Sequence, residues 1–130
     1  LNKPIYNYTR TGIESLDNKY YPDLKSIYDS IYERIFEFCD DFNLSNADVQ
    51  YMYASYFYSI ENVLKNTFSE KNKAGVSLKY RYNNEILRSK QFKNILKRSK
   101  KIVNWKLRLI YSMRSYRIVN ICNLIMNRLH

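Results

Sequence analysis

Nine apolar residues between Val49 and Phe68 constrain this chain more than any other feature. Val49, Met52, Tyr53, Tyr56, Phe57, Ile60, Val63, Leu64 and Phe68 recur at i, i+3, i+4 spacing over more than five turns, the pattern of one buried helical face. Ser45 stands where an N-cap belongs, and Asp48 three residues on completes a start of capping-box type. The back face is polar (Gln50, Ser55, Glu61, Asn62, Lys65, Asn66) except for Tyr51 and Tyr58, which lie one above the other. A helix with a full apolar stripe and a second aromatic row is expected to have neighbours on both sides. Ser45–Phe68 therefore reads as the central helix of a small all-α unit.

The rest of the sequence agrees with that class. With 130 residues the chain is one domain at most, with a modest core. Two Gly and two Pro leave long helices uninterrupted. The 14 Tyr reflect either function or the base composition of the gene. Cys39 and Cys122 sit in apolar runs and suggest no disulfide scaffold; a reduced, cytoplasmic setting follows. Leu1-Asn2-Lys3-Pro4 lacks a signal peptide's apolar region, and no charge-free apolar run is long enough to span a bilayer.

Charge divides the chain. Residues 1–69 hold six Lys/Arg against ten Asp/Glu, a net of −4, whereas residues 70–130 hold sixteen against two, a net of +14. Two readings fit. The halves neutralise each other, or the basic half meets an anionic partner such as nucleic acid, anionic lipid or a phosphorylated ligand.

Asp23–Phe42 is expected to be a helix opened by Pro22 at its first position. Its stripe is Leu24, Ile27, Tyr28, Ile31, Ile35, Phe38, Cys39 and Phe42. Cys39 on that stripe reads as a packed thiol. The short link Asn43-Leu44 makes this helix and the central one an antiparallel hairpin. Ser69–Tyr82 reads as loop. Within it Lys79-Tyr80-Arg81-Tyr82 alternates basic and aromatic residues, a pattern that stacks bases and holds phosphates when it forms a surface. Asn83–Lys101 reads as a basic helix with Ile86, Leu87, Phe92, Ile95 and Leu96 inward and Arg88, Lys90, Lys93, Lys97, Arg98, Lys100 and Lys101 around them. No base-reading spacing or zinc-ligand set accompanies it.

Trp105–Leu129, capped by Asn104, reads as the last helix. Leu107, Tyr111, Ile118, Cys122, Ile125 and Leu129 share one side, and Lys106, Arg114, Arg117 and Arg128 lie on another. Its apolar side either completes the core against Tyr51 and Tyr58 or, with Trp105 near one end, lies in a membrane interface.

Residues 1–19 differ from the rest. Pro4 disfavours helix before it. Ile5, Tyr6, Tyr8 and Thr9 favour an extended strand, and Thr11-Gly12 signals a turn. A lone strand needs a sheet to join, so this arm is expected to belong against a further domain. The run Leu1–Leu16, with Pro4, Tyr6, Tyr8, Ser15 and Leu16, resembles the exit strand of the catalytic domain in bacterial family 2 glycosyltransferases, the GT-A-fold enzymes of capsule, exopolysaccharide and teichoic-acid assembly. Thr9 stands where that family's Arg is commonest, and Arg10 follows it. Tyr20-Tyr21-Pro22-Asp23-Leu24 and the basic stretches Ile86–Phe92 and Trp105–Leu109 resemble the family's helical C-terminal region in style.

The resemblance implies a non-catalytic helical tail whose catalytic domain, with its divalent metal, lies elsewhere in the parent enzyme. It places Tyr6, Tyr8 and Arg10 nearest the donor-sugar site, against the simpler reading of strand packing. The residues of this chain supply no such chemistry themselves. Asp40 and Asp41 diverge by about 100° on a helix end, and the sole His is His130, with no nucleophile set around it. No cofactor or metal is expected in this chain. The expected architecture is an antiparallel hairpin plus two basic helices over residues 20–130, preceded by the extended arm 1–19. The expected work is packing on the catalytic domain, homo-oligomer contacts, or positioning at the inner face of the cell membrane through Lys90, Lys93, Lys97, Arg98, Lys100, Lys101, Arg114 and Arg117. A free-standing basic module on an anionic membrane is the alternative, and a nucleic-acid binder a third.

Overall fold

A computed structural model describes residues 19–129. Tyr6, Tyr8 and Arg10, and the arm they belong to, lie outside the described residues. Six helices account for the regular structure there: α1 (Leu24–Asp41), α2 (Asn46–Thr67), α3 (Val76–Arg88), α4 (Lys90–Arg98), α5 (Trp105–Ser112) and α6 (Tyr116–Leu129). The protein is all-α, and α2 is its axis. It contacts α1, α3 and α4, while α6 packs on α3 and α5.

α2 begins as its sequence requires. The Ser45 hydroxyl accepts a hydrogen bond from the Asp48 amide at 3.2 Å, satisfying one of the orphan donors of the first turn. Phe57, Ile60 and Leu64 are fully buried, with Tyr56 and Val63 beside them. The inward hydroxyls are satisfied within the helix: Ser59 and Thr67 each donate to the carbonyl four residues back at 3.1 Å. Tyr51 and Tyr58 remain exposed. The last helix does not complete its core against them, because α6 is held on α3 and α5 instead.

Contacts between α1 and α2 run in opposite chain directions. The Tyr21 amide meets Asn66, the Tyr32 hydroxyl meets Ser59, and the Phe36 ring stacks on Tyr53. The face α1 buries differs from the expected stripe. Tyr32 and Cys39 are its buried residues, with Tyr28, Ile35 and Phe36 partly covered, whereas Ile27, Ile31, Phe38 and Phe42 are exposed. The cause is Tyr32. Its ring stacks flat on Tyr56 at 4.3 Å, and its hydroxyl lies 2.6 Å from Ser55 Oγ and 3.0 Å from Ser59 Oγ. An amphipathic aromatic that satisfies its polar tip outcompetes an aliphatic side chain for the inward position. Pro22 sits not in the helix but in a turn before it, where Leu24 N–H reaches Tyr21 O.

Both basic segments break in the middle, for one geometric reason. In a straight helix Ile86 and Leu87 would point away from Phe92 and Ile95, since their mean directions differ by roughly 160–180°. All four are buried. Ser89 takes an extended conformation, ending α3 and capping α4 at once. Its hydroxyl donates to Ile86 O at 2.7 Å and accepts from Phe92 N–H at 3.1 Å. The same buried spacing recurs at Ile110, Tyr111, Tyr116 and Val119, and there the chain turns between α5 and α6 at Arg114, in the left-handed region at φ 59°. The segment expected to be loop is likewise partly helix. α3 starts at Val76 after Gly75, because Tyr80, Asn83 and Leu87 face inward at helical spacing. Asn83, fully buried, donates to Leu64 O at 3.0 Å and ties α3 to α2.

Arg114 is exposed, and among the described residues no hydrogen bond or ion pair of its side chain offsets that backbone conformation. Arg114→Gly is expected to raise stability by roughly 0.5–1 kcal/mol, read as a higher urea midpoint at unchanged slope. A lower midpoint would show that the Arg114 side chain matters to the turn.

Candidate anionic-surface site

α4 presents three faces. Phe92, Ile95 and Ser99 go into the core. Gln91, Asn94 and Arg98 turn toward α1 and α2. Lys90, Lys93 and Lys97, followed by Lys100 and Lys101 in the next turn, are exposed on the remaining side.

The second face is a polar junction. Tyr56 donates to Asp29 Oδ1 at 2.5 Å, Gln91 Nε2 donates to the Tyr56 hydroxyl at 2.6 Å, and Lys25 bridges Asp29 Oδ2 at 2.5 Å and Gln91 Oε1 at 2.8 Å. These contacts fasten α4 across both helices of the α1–α2 pair. A cleft of about 320 Å³ opens beside them, lined by Asp29, Glu33, Tyr53 and Asn94 among others. Burial, reinforced by the Asp29 carboxylate it bonds, pushes the Tyr56 phenol far above its ordinary range. Arg98 belongs to this face: its guanidinium lies 5.0 Å from the centre of the Tyr53 ring, a cation–π contact.

The lysine face continues onto α5. Arg108 Nε donates to Leu96 O at 3.2 Å and holds the two helices together. Leu96, Trp105, Arg108, Leu109 and Ser112 line a shallow groove of about 250 Å³ at that elbow. Lys93 sits one turn before Leu96 on its side of α4, and Lys100 follows in the turn after the helix ends. Trp105, Leu109 and Met113 fall at i, i+4, i+8 and form the outer stripe of α5, 65 %, 53 % and 48 % exposed. Lys106 flanks the stripe, its ammonium 5.8 Å from the Trp105 ring centre. The elbow is thus an apolar ridge beside a row of lysines.

The eight cations named from the sequence do not form one patch. Lys90, Lys93 and Lys97 share one side of α4, and Lys100 and Lys101 follow in the turn after it, all five exposed. Arg98 is turned onto Tyr53. Arg114 and Arg117 lie at the α5–α6 turn and the start of α6, with Arg117 4.4 Å from the Tyr80 ring centre. Lys79-Tyr80-Arg81-Tyr82 forms no stacking array either. On a helix these four diverge, and Tyr80 faces inward against Phe68 and Tyr116. Leu109 and Met113 were missed as site residues. The signal was present, since 105, 109 and 113 share one helix face, but it is hidden when 105–129 is taken as a single helix.

Charge stays segregated. Among the described residues the one ion pair is Lys25–Asp29, within α1. Among the described residues no ion pair joins the acidic half to the basic one. Among the described residues no three His, Cys, Asp or Glu side chains converge as metal ligands. Among them, too, no helix is long and apolar enough to cross a membrane. Comparisons with protein-family models, curated proteins and solved structures found no match to this chain.

Proposed function

We propose that this helical region is a non-catalytic docking module that lays its α4–α5 elbow on an anionic membrane surface. The observation that carries the reading is the pairing, on one elbow, of an outward Trp105–Leu109–Met113 ridge with Lys93, Lys97, Lys100, Lys101 and Lys106. A solvated helix turns polar residues outward. An interfacial one turns a Trp and aliphatic side chains into the acyl boundary and holds lysines at headgroup level. The resemblance of Leu1–Leu16 supports a particular setting for this work. The module would be the C-terminal region of a family 2 glycosyltransferase of surface-polysaccharide assembly. By docking at the inner face of the cell membrane it would hold the attached catalytic domain, with its divalent metal and donor sugar, close to a lipid-linked acceptor.

Vesicle co-sedimentation tests the docking. The protein is expected to bind vesicles containing anionic phospholipid, to release as salt rises, and to bind purely zwitterionic vesicles weakly. Each lysine near the surface contributes about 1 kcal/mol. Joint replacement of Lys93, Lys97, Lys100 and Lys101 by alanine is therefore expected to weaken binding on the order of a hundredfold or more. Arg98 is left in place because its stack on Tyr53 is a packing contact. Trp105→Ser separates the apolar part, lowering affinity at all salt concentrations. Equal binding to neutral and anionic vesicles, or no binding at low salt, overturns the reading. Tight, salt-sensitive binding of a single-stranded oligonucleotide in place of vesicles would make the surface a nucleic-acid site.

A further inference from the structure

Two further faces are apolar and outward, and they carry opposite charge. On α1, the rotation that buries Tyr32 leaves Ile27, Ile31, Phe38 and Phe42 on the outside, between 45 % and 66 % exposed. Acids lie beside this ridge: Asp23 one turn before Ile27, and Glu37 and Asp41 near its other end, with Arg34 the one cation between. On α6, Val119, Cys122 and Met126 face inward, yet Ile118, Ile121, Leu124 and Ile125 face outward, between 38 % and 61 % exposed. Arginines bracket that ridge, Arg117 in the first turn and Arg128 in the last, both exposed.

Outward apolar ridges of this kind mark interaction surfaces. Neither ridge suits a like copy of itself, since self-pairing would set acid against acid or arginine against arginine. Each suits the other, because the apolar residues would be covered while the flanking charges compensate. We propose that the α1 ridge of one copy of this chain docks on the α6 ridge of a second copy. The contact joins two different surfaces, so the first copy keeps its α6 ridge free and the second its α1 ridge, and association continues head to tail, into a ring if the rotation closes. The lysine elbow takes no part in it, so the contact is independent of membrane docking.

Sedimentation velocity on the full chain tests this. Wild type is expected to associate as concentration rises and to dissociate as salt is raised, because the flanking charges are solvent-accessible. Two neutral variants discriminate the geometry. Ile31→Gln with Phe38→Gln disables the α1 ridge, and Ile121→Gln with Leu124→Gln disables the α6 ridge. All four positions are exposed, so both variants are expected to keep wild-type helicity by circular dichroism. Each variant alone is expected to be monomeric. Mixed in equal amounts, they are expected to form a one-to-one dimer and stop there, since one intact ridge of each kind remains. A monomeric wild type overturns the proposal and leaves the ridges to another occupant, such as residues 1–18 or a further domain. So does a variant that dimerises alone, which would show like-on-like pairing, and so does a mixture that stays monomeric.

Discussion

Phe57→Ala is expected to lower the unfolding free energy by about 3–5 kcal/mol. Phe57 is fully buried at the point where three helices meet. Its ring lies 6.0 Å from that of Phe92 on α4 and edge-on to Tyr111 on α5 at 5.2 Å, while Phe92 and Tyr111 contact each other at 6.1 Å. Removing it takes away the transfer energy of a large side chain. It also leaves a cavity that its neighbours are not free to fill: the Tyr111 hydroxyl is held by a hydrogen bond to Glu61 at 2.6 Å, and the Phe92 backbone by the Ser89 cap. Domains of this size are stable by about 5–15 kcal/mol in total. Urea denaturation followed by circular dichroism should therefore show a large drop in midpoint, or a chain already partly unfolded in water. A loss below about 1 kcal/mol would mean that α4 and α5 close over the gap, and hence that they are not held as described.

Raising the pH above about 10 is expected to destabilise the fold steeply. Three buried tyrosines share this behaviour. Burial, helped by the charge of Tyr80 and Glu61, pushes Tyr116 up to about 12. Burial and the Glu61 carboxylate hold Tyr111 well above the ordinary tyrosine range, and burial with Asp29 does the same for Tyr56. In the unfolded chain each ionises near pH 10. Above that pH the unfolded state has shed protons that the folded state retains, so stability falls as pH rises. The stabilisation is fully present below about pH 10 and is lost through pH 12 and beyond. Each group contributes about 1.4 kcal/mol per pH unit, so the three together approach a slope of about 4. Urea midpoints taken between about pH 9 and 11 measure it. Tyr111→Phe should remove about a third of the slope. A midpoint that stays level across this range, with the buried phenols ionising near their ordinary value, would contradict the burial of these hydroxyls.

Several features were legible in the residues alone. The α2 stripe repeats for more than five turns, and Ser45 and Asp48 mark its start, so local pattern and burial agree. The helix breaks were also written in the sequence, though less openly. Ile86 and Leu87 cannot share a straight-helix face with Phe92 and Ile95, and the same spacing returns at Ile110, Tyr111, Tyr116 and Val119. Reading apolar content without its phase merges each pair of helices into one. The lysine row on α4 was legible as well; its apolar companion on α5 was obscured by that merging.

Sequence by itself determined the all-α class, the central helix with its buried side, and the concentration of positive charge after residue 70. These follow from periodicity and composition, which are properties of neighbouring residues. Tertiary structure alone decided which side of α1 is buried, where Arg98 points, and what the outer faces of α1 and α6 carry. α1 has apolar residues over about half its circumference, so its hydrophobic pattern permits several rotations of similar burial. The choice falls to Tyr32, whose ring finds Tyr56 and whose hydroxyl finds Ser55 and Ser59. Those partners lie more than twenty residues away along the chain, and a contact at that range exists only once the helices have met.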